Sequence, residues 1–156
     1  MAFFIGDYEQ TIDAKRRLPI TAALREMIDS KEDGASFILF LSPDGHLWLY
    51  PDKYYRRLIA TMRRSPLPSR EHRKISLYFA MARLLKSDAQ GRVVLPLKSI
   101  ERAGLSDEVT LVGSDDHIEI WPTGEWNTRV EAGMAELGEA LYEASRQLAN
   151  DGEGNP

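Results

Sequence analysis

Asp88-Ala89-Gln90-Gly91-Arg92-Val93-Val94-Leu95 is the stretch that decides the fold of this 156-residue chain. Its Asp can accept backbone N–H bonds, its Gly can adopt a positive φ, and its Arg opens a run of β-branched and aliphatic residues. The pattern predicts a tight turn that leads into a strand. It also occurs 75 residues earlier as Asp13-Ala14-Lys15-Arg16-Arg17-Leu18-Pro19-Ile20. The chain therefore contains two Asp-x-x-x-Arg turns.

The segments after the two turns repeat in the same order, so the similarity extends from a turn to a whole unit. A short helix is predicted over residues 21–28 and again over 97–103, and an apolar strand follows over 37–41 and 109–112. After each strand come a polar turn and a His-apolar-x-apolar-aromatic-Pro segment. This segment is found at residues 46–51 and 117–122. We infer two copies of one structural unit.

These elements predict an α+β fold with two pseudo-repeated β-hairpin units and flanking helices, and the short strands suit a small β-barrel or a meander. Two prolines in residues 65–69 break any helix and mark the best internal boundary. We expect a first repeat with its closing helix over residues 6–64 and a Pro-bounded basic linker helix over 65–82. The second repeat with the C-terminal helix is expected over 83–149, and a disordered tail over 150–156.

The C-terminal helix carries an apolar stripe whose members recur three and four residues apart. The stripe consists of Trp126, Val130, Met134, Leu137, Leu141, Ala144 and Leu148. It must pack on another surface. Its own domain is the favoured surface, and a partner subunit is the alternative.

The distribution of charge says more than the net charge of −4. Residues 53 to 86 contain ten basic residues and one acid, a local balance of +9. Residues 131 to 156 contain six acids and one base, a balance of −5. Such runs are consistent with solvated helix faces or with a basic surface that meets phosphate. The basic stretch could contact DNA flanks, neutralise the acidic helix of a neighbouring subunit, or face solvent.

Several classes of protein are excluded or disfavoured by composition. There is no cysteine, which excludes disulfides, thiol catalysis and cysteine-bound metals. The three histidines are too scattered to suggest a metal site, and we expect no cofactor. No apolar run approaches the roughly 18 residues of a membrane span, and signal-peptide features are missing. We therefore expect a cytoplasmic protein. Because the sequence contains no phosphate-cradling loop and no nucleophile elbow, we expect that it is not an enzyme and has no catalytic residues.

The Asp-x-x-x-Arg turns are the part of the sequence with the clearest chemistry. Arg92 can reach back to Asp88 or outward to a phosphate or a guanine, because its planar fork binds both anionic targets bidentately. One such turn alone is well explained by an Asp–Arg pair that only fixes the backbone. Two copies at matching places in two repeats favour a binding role.

Several motifs of the chain, taken in order, resemble the MraZ family of bacterial transcriptional regulators, which act on the division and cell-wall gene cluster. The resemblance covers roughly residues 6 to 130. Besides the doubled turn, it rests on Asp7-Tyr8-Glu9-Gln10-Thr11-Ile12, Leu47-Trp48-Leu49-Tyr50-Pro51, Gly91-Arg92-Val93-Val94-Leu95-Pro96, Ala103-Gly104-Leu105, Leu111-Val112-Gly113 and Ile118-Glu119-Ile120-Trp121. It implies two AbrB-like (SpoVT–AbrB) β-hairpin units in one chain. It also implies a homo-oligomeric ring that binds short direct repeats of double-stranded promoter DNA, and hence a nucleoid-associated protein.

Carried over by position, the resemblance implies that Arg17 and Arg92 are the central DNA contacts, with Lys15 beside Arg17. Arg16 is the next candidate. Asp13, Asp88 and Gly91 are expected to organise the turns, since phosphate repels carboxylates.

The first copy departs from the family pattern at two positions. Arg16 stands where the family usually has Gly, and Thr21 stands where it usually has Pro. An L-residue in the left-handed conformation costs about 1–2 kcal/mol, so the first turn must be strained or differ from the second. Pro19 cannot donate to a ladder, which predicts an edge strand or a bulge there.

Three functions compete at this point. The favoured one is a sequence-specific DNA-binding regulator that acts as an oligomeric ring through the Asp-x-x-x-Arg turns. The alternative is an oligomeric scaffold or interaction protein with weak or lost DNA specificity, which the acidic total charge and the altered first turn would suit. An enzyme is disfavoured, because His46 and His117 occupy equivalent positions where a structural hydrogen bond is the commoner role.

Overall fold

The computed structural model of the protein describes residues 1–62 and 69–153. Within these ranges the chain forms eight strands and five helices, and the order β-β-α-β-β-α occurs in both repeats. The first repeat contains β1 (Asp7–Thr11), β2 (Arg17–Pro19), α1 (Ala22–Arg25), β3 (Ser36–Leu41), β4 (Leu47–Pro51) and α2 (Asp52–Ala60). Then follow α3 (Arg70–Met81), β5 (Arg83–Lys86), β6 (Arg92–Val94), α4 (Leu97–Ala103), β7 (Glu108–Ser114), β8 (His117–Pro122) and α5 (Thr123–Glu153).

Six strands form one antiparallel sheet in which the two repeats are interlocked. Its strand order is β1-β7-β8-β4-β3-β5. Because β1, β3 and β4 of the first repeat correspond to β5, β7 and β8 of the second, the order is symmetric about the central β4–β8 pair. The central pair β4–β8 joins the two repeats. At the ends, β1 of the first repeat pairs with β7 of the second, and β5 of the second pairs with β3 of the first. Each repeat therefore completes the sheet of the other.

The two remaining strands form a separate antiparallel ribbon, β2–β6. Strand β2 lies beside β1 and strand β6 beside β5, so the ribbon spans the two ends of the six-stranded sheet. Leu18 and Val93 are buried in its inner face. The expected α+β fold with pseudo-repeated hairpin units is confirmed. The small β-barrel stays a prediction, because the hydrogen-bonded order of the described sheet ends at β1 and β5.

The core lies between the sheet and the ribbon and draws on both repeats. The fully buried side chains include Phe4, Leu49 and Ile118 as well as Leu24 of α1. Because the strands are exchanged, the core cannot be divided between the sequence ranges of the two repeats. The ranges 6–64, 65–82, 83–149 and 150–156 remain predictions, and residues 63–68 and 154–156 lie outside the described residues.

The helices lie where the sequence predicts them, but some of their bounds differ. Helix α4 has the expected bounds, whereas α1 covers only Ala22–Arg25 of the expected residues 21–28. Asp52 is the first residue of α2, after Pro51 at the N-cap, and its carboxylate accepts a bond from the Ser36 N–H at 3.3 Å. The Ser69 hydroxyl caps α3 by accepting from the His72 N–H at 3.0 Å.

Helix α5 begins at the end of the first compact unit, Met1–Thr123, and makes up the second unit from Gly124 onward. It has 31 residues and continues through Glu153, into the segment expected to be a disordered tail. The stripe side chains Met134, Leu137, Leu141 and Leu148 are exposed, and the surface on which the stripe packs stays a prediction. Among the helices of the described residues, none is both long and apolar enough to cross a membrane.

Candidate nucleic-acid interface

The first Asp-x-x-x-Arg turn is built around the carboxylate of Asp13. One oxygen, Oδ1, accepts the backbone N–H bonds of Lys15 at 3.0 Å and of Arg17 at 2.8 Å. The other, Oδ2, accepts from the Arg17 Nε at 2.6 Å. The backbone closes the turn with a bond from the Arg16 N–H to the Asp13 carbonyl at 2.9 Å. A single short side chain therefore fixes both the turn and the Arg at its end.

The second turn repeats these contacts around Asp88. Its Oδ1 accepts the N–H bonds of Gln90 at 2.9 Å and of Arg92 at 3.0 Å, and its Oδ2 accepts from the Arg92 Nε at 2.8 Å. The Gly91 N–H donates to the Asp88 carbonyl at 3.0 Å. The two turns thus have the same hydrogen bonds despite their different sequences.

The positive φ that the second turn assigns to Gly91 is also present in the first turn. Gly91 has φ of 76° and Arg16 has φ of 61°. The departure from Gly therefore does not change the shape of the first turn, and Arg16 adopts the left-handed conformation at a cost of about 1–2 kcal/mol. Of the two expected outcomes, strain or a different turn, the structure shows strain.

Both Asp carboxylates are stabilised in their ionised form. The largest cause at Asp13 is the backbone N–H of Arg17, and the largest at Asp88 is the backbone N–H of Arg92; each lowers the pKa of the carboxyl below its usual value. The Asp–Arg pairs use the Nε of each Arg. Among the described residues, no acceptor is bonded to the terminal nitrogens of Arg17 or Arg92, which remain available to a phosphate or a guanine edge.

The ribbon brings the two arginines onto one surface. In its register Arg17 is opposite Val94 and Pro19 is opposite Arg92. Cross-strand partners project from the same face, and Leu18 fills the opposite, buried face. Arg17 and Arg92 therefore share the outer face, offset by two residues, which is roughly 7 Å along a strand. The interlocked repeats create one composite basic surface from two turns.

The remaining candidates lie at the tips of the turns. Lys15 and Arg16 are exposed in the first turn, where the second turn has Gln90 and Gly91. The first turn accordingly presents two more cations than the second. Ladder bonds tie the tips to the ribbon: the Ile20 N–H donates to the Gly91 carbonyl at 3.0 Å, and the Leu95 N–H to the Arg16 carbonyl at 2.9 Å.

Arg25 is a residue of this surface that the sequence analysis did not identify. It lies in α1 of the first repeat, and its Nε donates to the Ile20 carbonyl at 2.9 Å. Its side chain covers Gly91 of the second turn, where a Cβ would lie only 2.5–2.8 Å from the Nε, Cζ and Cδ atoms of Arg25. A larger residue at position 91 would thus be strained by its positive φ and would have to displace the flexible Arg25 side chain. No local pattern relates two residues 66 positions apart, and only the exchange of strands brings them together.

The equivalent histidines lie where the two central strands begin: His46 directly precedes β4, and His117 is the first residue of β8. The His117 ring is bonded to Asp116 Oδ1 at 2.8 Å through Nδ1 and to Glu119 Oε2 at 2.9 Å through Nε2. It stacks on Trp48 with ring centroids 3.9 Å apart, and His46 stacks on Trp121 at the same distance. Both rings are buried in these contacts. Within the described residues, no group of three or more His, Asp or Glu side chains could hold a metal ion.

Comparisons with known proteins agree with this geometry. A family model described as "MraZ protein, putative antitoxin-like" matches the chain twice, over residues 3–77 and 78–144. A "Transcriptional regulator MraZ" of Syntrophomonas wolfei is 31% identical over 144 residues, which cover 90% of this chain and 97% of the relative. Another of that name, from Carboxydothermus hydrogenoformans, is 35% identical over 133 residues, covering 85% of this chain and 90% of the relative. The two matched segments together span most of the sequence, and the chain belongs to the MraZ family.

Proposed function

We propose that the chain is a DNA-binding transcriptional regulator whose contact surface is the outer face of the β2–β6 ribbon. The observation that carries this proposal is the shared face of Arg17 and Arg92, both held by an Asp through Nε. Fixing one nitrogen of each Arg reduces the conformational freedom that binding would otherwise remove. The names of the relatives support the same function, and the family is one of regulators rather than of enzymes.

Lys15 and Arg16 extend the surface at the tip of the first turn, and they contact phosphates in this proposal. Arg25 supports the second turn from the other repeat and adds a cation beside it. Asp13, Asp88 and Gly91 hold the turns in shape. Arginine and lysine contacts to phosphate release counterions, so DNA binding should weaken as salt rises.

The target we propose is the set of short direct repeats upstream of the division and cell-wall gene cluster. One ribbon offers a small surface and would bind weakly. A homo-oligomeric ring that places several ribbons on successive repeats would gain affinity through effective concentration, provided the spacing matches. Direct repeats suit a head-to-tail ring better than a two-fold dimer. In this proposal the protein acts in the cytoplasm, on the nucleoid.

A titration with two DNAs tests the proposal. The protein is mixed with a duplex that carries the direct repeats, or with a scrambled duplex of the same composition, at several salt concentrations. We expect selective binding that the Arg17→Ala, Arg92→Ala variant loses. The control variant Arg129→Ala, Arg146→Ala removes the same charge from the acidic helix α5 and should bind as the wild type does.

A scaffold with weak or lost DNA specificity is the second candidate, favoured by the net charge of −4. Equal, weak binding of the wild type to both duplexes would overturn the regulator proposal and support this candidate. Loss of binding in both double variants would show that only bulk charge matters and would remove the ribbon from its assigned role.

A further inference from the structure

Helix α5 carries an exposed row of apolar side chains, here called the seam, whose spacing alternates strictly between four and three residues. From Val130 the apolar side chains follow at intervals of four, three, four, three and four residues, which is a heptad pattern. They are Val130, Met134, Leu137, Leu141, Ala144 and Leu148. Exposure reaches 64% at Met134, 62% at Leu141 and 74% at Leu148. The stripe is about 27 Å long at 1.5 Å per residue. Helices in proteins gain most of their stability by packing such an apolar face on another surface.

The charges of α5 are arranged so that a second copy can approach the seam. The positions that flank it are Glu131, Gly133, Gly138, Ala140, Ser145 and Gln147, so one of the six is charged. The other acids of this stretch, Glu136, Glu139 and Glu143, lie on the opposite side of the helix. Two identical acidic helices would repel each other if these charges faced the seam. Here the repulsion is directed away from it.

The same arrangement argues against the basic stretch of a neighbouring subunit as the occupant. A basic partner would be attracted to the outer, acidic face of α5 and would gain no charge contact at the seam. Gly138 adds a separate indication. Glycine is disfavoured inside helices, and a Cβ at this position would meet nothing within 4 Å in the chain itself. Its small size leaves room beside the seam for another backbone.

We propose that α5 pairs with α5 of a second copy of this chain through the Val130–Leu148 seam. The pair is an isologous contact, in which the same surface is used on both copies. A head-to-tail ring is built from heterologous contacts, so the α5 pair would join two such rings, or two subunits where no ring forms. The inference goes beyond the proposed DNA-binding function and does not require it.

The mass of the particle tests the pairing. The full-length variant Leu137→Glu, Leu141→Glu places two carboxylates in the seam, and sedimentation should show a mass at least twofold lower than that of the wild type. The control variant Ala135→Glu, Ala149→Glu adds the same charges outside the seam and its flanking positions and should keep the wild-type mass. A seam variant that keeps the wild-type mass would overturn the pairing. A halved mass with no selective DNA binding would support the pairing while contradicting the proposed function.

Disulfide mapping in the otherwise unchanged chain covers the case in which the seam variant misfolds. The chain has no cysteine, so each introduced thiol is the only one. A parallel pair should join Ala144→Cys to itself. An antiparallel pair centred between Leu137 and Leu141 should join Met134→Cys to Ala144→Cys in mixed samples. Cross-links at the seam that are absent from the control Ala135→Cys support the pairing, and equal or no cross-linking at all positions overturns it.

Discussion

The two Asp-x-x-x-Arg turns have the same backbone and the same Asp–Arg bonds, but they reach that conformation differently. The second uses Gly91 at φ of 76°, whereas the first holds Arg16 at φ of 61° and accepts the strain. At the second turn, the flexible side chain of Arg25 lies where a Cβ at position 91 would go. The first turn carries a cation at this position, on the proposed binding surface. The second turn carries none there and is covered by Arg25 of the other repeat, so each turn obtains its extra charge by a different route.

The largest expected effect comes from making the second turn resemble the first. Gly91→Ala adds left-handed strain of about 1–2 kcal/mol. It also displaces the Arg25 side chain, whose bond to the Ile20 carbonyl contributes about 0.5–1.5 kcal/mol. We expect a total loss of about 2–3 kcal/mol in the free energy of unfolding, measured by chemical denaturation. Combining it with Arg25→Ala should reduce the further loss to the strain alone. An equal loss in both backgrounds would mean that Arg25 does not limit the size of residue 91.

The second comparison separates the contributions of the turns to DNA binding. Arg17→Ala and Arg92→Ala, made singly, should each weaken binding to the repeat-bearing duplex by about 1–3 kcal/mol, or roughly 5- to 150-fold. We expect the two losses to be similar, because both side chains lie on one face and are held alike. Fluorescence anisotropy at fixed salt measures them. A loss at Arg92 alone would show that the first turn has drifted from its role.

A smaller effect of opposite sign is expected at Arg16. Arg16→Gly relieves about 1–2 kcal/mol of strain but restores the backbone freedom of glycine, about 0.5–1 kcal/mol, to the unfolded chain. The net gain in stability should be about 0.5–1 kcal/mol by thermal or chemical unfolding. DNA binding should weaken at the same time and with a shallower salt dependence, because a cation is lost. Unchanged stability would contradict the strain that we assign to Arg16.

The smallest effect concerns His117, whose two ring nitrogens are bonded to the carboxylates of Asp116 and Glu119. Burial lowers the pKa of His117, but the bonds to Glu119 and Asp116 outweigh it and the pKa is raised overall. Tyr54 of α2 donates to the same Asp116 at 2.7 Å. A raised pKa in the folded state stabilises the protein at pH below about 6.5, and this contribution is lost as pH rises through the folded value. His117→Gln should therefore flatten the decline in stability as pH rises above about 6.5, as measured by chemical denaturation at a series of pH values.

The sequence predicted the repeated elements well because each depends on local chemistry. The turns follow from Asp, Gly and Arg at fixed spacing, and the bounds of α4 agree with its apolar pattern and with the left-handed Gly104 that ends it. It did not predict the exchange of strands, since β1 and β7 are separated by almost the whole length of the two repeats. The contact between Arg25 and Gly91 was missed for the same reason. Pro19 was placed correctly, as β2 pairs on one side only within its ribbon.

The interlocked sheet also has a consequence for synthesis on the ribosome. In the described sheet, the hydrogen-bonding partner of β1 is β7, which is made late. The edge of β4 that does not pair with β3 is unpaired until β8, which ends at Pro122, is complete. About sixty residues separate the end of α2 from that point, or roughly 3–12 s of translation at 5–20 residues per second. During that interval the strands of the first repeat expose unpaired edges and apolar faces. Chaperone binding to nascent chains truncated before and after residue 122 should differ accordingly.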